Sequence, residues 1–134
     1  MHMGSAGRKI AVMSTPPASW LELTQAVSKN VSALRADIPD VIKGFNEMSR
    51  AASIDGALSQ KTKELIALAL SVAAHCDACI GFHMKTLVKL GATKAEVEEV
   101  LGMAIYMGGG PSLMYSANAM AAFAEFSAAA VAAA

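Results

Sequence analysis

The sequence has no run of basic residues, few aromatic side chains, only two cysteines and no long uninterrupted apolar stretch, and each scarcity excludes a class of function. Lys plus Arg and Asp plus Glu number 11 each, so the formal charge is zero. Phosphate backbones are held by clustered Lys and Arg, and single strands by aromatic platforms, so no nucleic-acid partner is expected. A membrane-crossing helix needs about 20 consecutive apolar residues. The best internal candidate, Leu65 to Ala74, is much shorter and is bounded by Lys61, Lys63, Glu64, His75 and Asp77. The Ala-rich end, 117–134, is interrupted by Glu125, and alanine drives insertion only weakly. No charged start, apolar stretch and small-residue cleavage site marks a signal peptide, so a cytoplasmic protein with no membrane association is expected. No alternating apolar–polar run survives inspection, which argues against strands.

What is abundant is apolar surface. Hydrophobic residues make up 54% and charged residues 16% of the chain, against roughly 45–50% and about 25% in ordinary soluble proteins. With the membrane set aside, the surplus points to faces shared between copies, hence a homo-oligomer. At 134 residues the chain supports one domain. Residues 1–15, with Met1, Met3 and Met13 as alternative starts, read as a disordered or appended leader, and 16–134 as a single helical domain. The nine methionines read as core filler or contact surface rather than as a metal box.

Helix punctuation is clear. Pro16 and Pro17 precede a helix from Ser19 to about Lys29, with Trp20, Leu21, Leu23 and Val27 at helical spacing. A second begins near Ile38-Pro39-Asp40, carries Val41, Ile42, Phe45 and Met48 along one stripe, and ends before Gly56. Ser59 caps a third, Gln60 to about Ala74, apolar all round from Leu65 and therefore expected to be buried. The fourth runs from about Asp77 to Leu90 and stops at Gly91, a residue that tolerates a left-handed backbone. Thr93-Lys94-Ala95-Glu96 is a capping box opening a fifth helix through Tyr106. Gly108-Gly109-Gly110-Pro111 breaks the chain, and a sixth helix runs from about Pro111 to Phe126, which the Ala-rich tail either extends or leaves to fray. The expectation is an all-α bundle of about six helices joined by short turns.

One segment carries chemistry: Cys76-Asp77-Ala78-Cys79-Ile80-Gly81-Phe82-His83, which holds both cysteines of the chain. Two cysteines three residues apart at a helix start can form a tight disulfide, and a thiol there gains from the free amides and the helix dipole, which favour thiolate. His83 is four residues beyond Cys79 and shares its face of the helix, where an imidazole can take the thiol's proton. If the third and fourth helices form an antiparallel hairpin turning near His75, Glu64 lies opposite Thr86, within a turn of His83, and its carboxylate can orient the imidazole. The competing readings are a pair of small buried hydrophobes, or a zinc site in which Cys76, Cys79 and His83 supply three ligands and His75 the only nearby fourth. Glu64 could instead pair with Lys61 or Lys63 on the surface, and His75 reads as a turn residue. The stretch Tyr106 to Tyr115 could wall a substrate pocket, although an interhelix turn accounts for its glycines.

The stretch Leu58-Ser59-Gln60-Lys61-Thr62-Lys63-Glu64-Leu65-Ile66-Ala67-Leu68-Ala69 resembles the opening of the carboxymuconolactone decarboxylase superfamily. Continued into Cys76-x-x-Cys79-x-x-x-His83 and Gly91-Ala92-Thr93, it resembles the alkylhydroperoxidase D (AhpD)-like branch, over roughly residues 36–126. The resemblance implies an all-helical fold with the Cys-x-x-Cys at the amino end of a central helix. It also implies peroxidase activity without haem, flavin or metal, its redox group being a Cys76–Cys79 disulfide. Carried over, Cys79 attacks the hydroperoxide, Cys76 resolves the sulfenic acid, and His83 with Glu64 relays the proton. The implied partners are a hydroperoxide substrate and a dithiol reductant, in some relatives a lipoyl-bearing protein, and the implied assembly is a trimer or hexamer. One departure is Ala78, where some characterised members carry a His between the cysteines. The superfamily's decarboxylase branch acts on a lactone without relying on a cysteine pair, so retention of both cysteines favours the peroxidase branch. A lactone enzyme or a non-catalytic zinc-binding or stress-sensing module stands as the alternative.

Overall fold

In a computed structural model, which describes residues 19–134, six helices follow one another with no strand among the described residues. The leader assigned to residues 1–15 lies outside them. The first helix, α1 (Trp20–Asp37), is capped by Ser19, whose hydroxyl accepts the Glu22 amide at 3.2 Å. It runs about two turns beyond the end expected near Lys29. Nothing between Asn30 and Asp37 breaks a helix, whereas Ile38 precedes Pro39 and is driven out of the helical region (φ −129°, ψ 62°). Helix α2 (Pro39–Ser53) then starts with proline in its first turn, where the missing N–H costs nothing.

No residue of α2 is buried, and its apolar stripe stays open, with Val41 65%, Phe45 61% and Met48 63% exposed. Among the described residues it packs chiefly against α1 and α3. Helix α3 (Gln60–Ala73) is capped by Ser59, which accepts the Thr62 amide at 3.1 Å. The expectation that α3 is buried all round is corrected here. Leu68 and Val72 are fully enclosed, but Ile66 is 44% and Leu70 64% exposed.

Helices α3 and α4 (Asp77–Lys89) end in the same way. At the end of α4, Gly91 (φ 78°) lets its own amide reach Val88 O and the Ala92 amide reach Leu87 O. At the end of α3, His75 (φ 55°) and Cys76 make the equivalent bonds to Val72 O and Ser71 O. This is the Schellman closure, here built once with glycine and once with histidine. The capping box at Thr93 forms reciprocally: Glu96 N–H donates to Thr93 Oγ1 (3.1 Å), and Thr93 N–H donates to Glu96 Oε1 (3.0 Å). It opens α5 (Lys94–Gly108), and Gly109 (φ 72°) leads into α6 (Gly110–Ala133). The Ala-rich tail extends α6, as alanine's high helix propensity favours.

The core lies where α3, α4, α5 and α6 meet: Leu68 and Val72 from α3, Ile80, Met84 and Leu87 from α4, Val97 and Leu101 from α5, and Ala119, Ala122 and Phe126 from α6. Helix α1 closes one side with Trp20, and its first amides are held by α6. The Glu125 carboxylate accepts Trp20 N–H at 3.0 Å and Leu21 N–H at 2.7 Å. No helix is long and apolar enough to cross a membrane among the described residues.

Candidate active site

The turn between α3 and α4 sets up the site. Cys76 is the residue that caps α4, and its sulfur accepts the Cys79 amide at 3.2 Å. Hydrogen-bond donation from a free first-turn amide stabilises negative charge on that sulfur when the pair is reduced. The two cysteines form a disulfide, with Cα atoms 5.3 Å apart, and both are half-buried. The expected pairing within one helical turn is thus the one present.

Glu64, only 8% exposed, stands on α3 across from α4, and its Oε2 lies 2.6 Å from His83 Nδ1. The hairpin reasoning brings these two together, while the alternative partners of Glu64 are engaged elsewhere. Lys61 pairs with Glu96 at 2.8 Å, and Lys63 Nζ donates to Ile54 O at 2.7 Å. With Nδ1 committed to the carboxylate, Nε2 is left as the ring nitrogen able to exchange a proton. His83 is half-buried and lies one turn beyond Cys79 on α4, so imidazole and thiol share one helix face.

Three features here were not visible in the sequence pattern. Phe45, Met48 and Ala52 of α2, with Ala67 of α3, wall a cavity of about 360 Å³ that Glu64, Lys63 and His83 also line. Residues 106–115 do not line it. A larger groove of about 500 Å³ runs along the α1–α2 corner, but its lining of Arg35, Asp40, Lys43, Glu47 and Arg50 offers solvated charges and no nucleophile. His75 holds its left-handed conformation with its ring stacked flat on Tyr115 of α6, centroids 4.6 Å apart and planes 4° from parallel. A non-glycine residue in this region is under strain, and ring stacking offsets it. Finally, Asp77, between the two cysteines, buries its Oδ1 with no hydrogen-bond partner among the described residues, and this burial pushes its carboxyl above the ordinary carboxylate range. Among the described residues no three or more His, Cys, Asp or Glu side chains are grouped to hold a metal ion.

Known proteins are similar to this chain in sequence or in fold. A protein of Cupriavidus necator, itself described only as uncharacterized, is 39% identical over 97 residues, covering 72% of this chain and 86% of that one. Uncharacterized protein 4 of the cox locus of Paracoccus denitrificans is 32% identical over 116 residues, 87% of this chain and 96% of its own. The crystal structure of an apo carboxymuconolactone decarboxylase family protein from Legionella pneumophila superposes with a TM-score of 0.79 at 54% identity, covering 81% of this chain and 96% of that one. Residues 39–125 match the carboxymuconolactone decarboxylase family, from the proline that opens α2 to the glutamate that holds the start of α1. With residues 39–125 matching the family and a solved family member sharing the fold at 54% identity over 81% of this chain, the chain belongs to the carboxymuconolactone decarboxylase family.

Proposed function

We propose that the protein is a thiol-dependent peroxidase of the AhpD-like kind, reducing hydroperoxides through a Cys76/Cys79 dithiol–disulfide cycle. The observation that carries this reading is the disulfide-bonded pair at the amino end of α4, with the Glu64–His83 couple one turn along. A lactone decarboxylase has no use for such a pair.

In the cycle, His83 takes the Cys79 proton, and the thiolate attacks the outer oxygen of ROOH. The S–O bond forms, the O–O bond breaks, and RO⁻ leaves as ROH with the proton His83 returns. Cys76, whose thiolate is favoured by the Cys79 amide, attacks the sulfenic acid, and the disulfide forms with loss of water. A dithiol, such as a lipoyl group on a partner protein, then returns two electrons and two protons. The Phe45–Met48 wall favours an organic hydroperoxide with an apolar body. Such a cycle suits a reducing compartment such as the cytoplasm. The exposed Val41, Phe45, Met48, Leu70, Tyr106 and Met107 support assembly of copies into a trimer or hexamer.

Titrating free thiols in the reduced protein before and after adding an organic hydroperoxide tests the reading. Loss of two thiols per chain without a disulfide-linked dimer supports it, and Cys79→Ser is expected to abolish peroxide consumption. Full activity in that variant overturns the roles given to the cysteines. Survival of a lactone-opening or decarboxylating activity after both cysteines are replaced by alanine points to the other branch of the family.

A further inference from the structure

We propose that Asp77 is the acid that protonates the Cys76 sulfur when the Cys76–Cys79 disulfide is reduced. The inference rests on the dithiol–disulfide reading of the pair, but not on peroxide being the oxidant.

Three observations lead to Asp77. It directly follows Cys76 and lies within the same helical turn as Cys79, so its carboxyl is the titratable group nearest in sequence to both sulfurs. A first-turn aspartate that served only the helix dipole would keep its carboxylate in water, whereas Asp77 is half-buried and its Oδ1 is sealed without a partner among the described residues. An acceptor-only carboxylate oxygen is poorly accommodated in that position; protonation removes the buried charge and makes the carboxyl a donor. Burial accordingly raises its proton affinity.

The titratable neighbours are exposed or engaged elsewhere: His75, which precedes Cys76, is exposed with its ring stacked on Tyr115. Facing α4 from α3, every residue from Leu65 to Ala74 is uncharged, and Glu64 is occupied by His83. From α6, Tyr115 is stacked on His75, and Glu125 is bound to the Trp20 and Leu21 amides. From α1, the one acidic residue of the first turn is Glu22. None of these hydrogen-bonds Asp77 Oδ1. The Glu64–His83 couple, one turn past Cys79, serves the peroxide half of the cycle. The reducing half has had no proton source of its own, and Asp77 supplies one.

The step balances as follows. A thiolate of the reductant attacks Cys79 Sγ, and a mixed disulfide forms there. The Cys76–Cys79 bond breaks, and Cys76 leaves with the electron pair and takes the Asp77 proton. The second thiol of the reductant gives its proton to the Asp77 carboxylate and attacks the mixed disulfide, and Cys79 leaves as a thiolate that takes from water the proton the first reductant thiol lost on ionising. The chain gains two electrons and two protons, and the reductant becomes a disulfide.

The test is reduction of the oxidised full chain by excess dithiothreitol across a pH series, quenched by alkylation and read by mass, with each rate corrected for the thiolate fraction of the reagent. In the unmodified protein the corrected rate is expected to fall as pH rises and Asp77 loses its proton. Asp77→Asn is expected to flatten the profile and, on the low-pH plateau, to be slower by about 10-fold or more, as loss of a general acid demands. A variant that matches the unmodified protein on that plateau overturns the proposal, because the charge of Asp77 would then explain the whole profile. A flat profile in the unmodified protein also overturns it, without recourse to any variant. Failure of dithiothreitol to release two thiols is a different result: it removes the dithiol–disulfide reading itself, and the role of Asp77 with it.

Discussion

Replacing Gly81 by alanine sets two effects of known size against each other. Gly81 sits in α4 between Cys79 and His83, at the point where α1 crosses. In an exposed helix interior, alanine is favoured over glycine by roughly 0.5–1 kcal/mol. Here the added Cβ would stand 2.8 Å from Thr24 Cγ2 and 3.4 Å from Trp20 Cε3. Thr24 cannot easily give way: it is 2% exposed, and its hydroxyl donates to Leu21 O at 3.0 Å. Rotating it would exchange a methyl clash for a buried hydroxyl without a partner. Overpacking of this kind costs about 1–3 kcal/mol, so the clash outweighs the propensity gain, leaving a net loss of about 0.5–2 kcal/mol. Urea unfolding of the oxidised protein at one fixed concentration, with unchanged slope, should show a lower midpoint for Gly81→Ala. Thr24→Ser removes the offending methyl and keeps the hydroxyl. In its background Gly81→Ala should be neutral or stabilising, a coupling of about 1–2 kcal/mol. A single variant as stable as the unmodified protein, or a loss that persists in the Thr24→Ser background, refutes the reasoning.

Two further expectations concern charge. Glu64→Gln keeps the size of the side chain and a hydrogen bond to His83 but removes the charge that steadies the imidazole. Peroxide consumption should fall by roughly 10–100-fold with both thiols still titratable, and an unchanged rate would remove Glu64 from the relay. The Lys61 ammonium, joined by the Thr93 amide and side chain, lowers the Glu96 pKa from 4.5 to about 2. Because the folded value lies below the unfolded one, this contribution to stability is present above pH 4.5 and is lost as pH falls through about 2. Glu96→Gln should therefore flatten that part of the acid-unfolding curve followed by circular dichroism. An unaltered curve there would show that the capping box and its lysine carry no proton linkage.

Much of the architecture could be read from local chemistry because the signals are themselves local. Ser59, Thr93 with Glu96, and Gly91 each act within a few residues, and each does in the fold what its sequence context implies. The meeting of Glu64 with His83 was accessible for a related reason: a tight turn at 75 converts distance along the chain into a cross-helix register. Burial was harder to read. Ile66 and Leu70 belong to an entirely apolar stretch, yet they face away from the single chain's core, because which neighbours flank a helix is settled by packing far along the sequence. The same holds for the open stripe of α2 and for Phe45 and Met48, whose place beside Glu64 depends on how α2 crosses α3. His75 reads as a turn residue and is one, but its left-handed conformation was hidden, because such a cap is ordinarily announced by glycine, and here an aromatic partner from α6 stands in for that freedom. Asp77 looked like any acidic residue in a first turn, and only the seal around its oxygen sets it apart.

In the sequence, Glu125 was simply the charge that spoiled an alanine-rich stretch. Folded, it is a clasp: a carboxylate near the far end of the chain that receives the opening amides of α1. The first helix therefore cannot peel away without stranding an acidic group on the last, nor can α6 loosen at that point without uncapping the first. Loss of order at either end thus propagates to the other, and the cysteine-bearing helix that both of them touch is shielded from fraying on two sides at once.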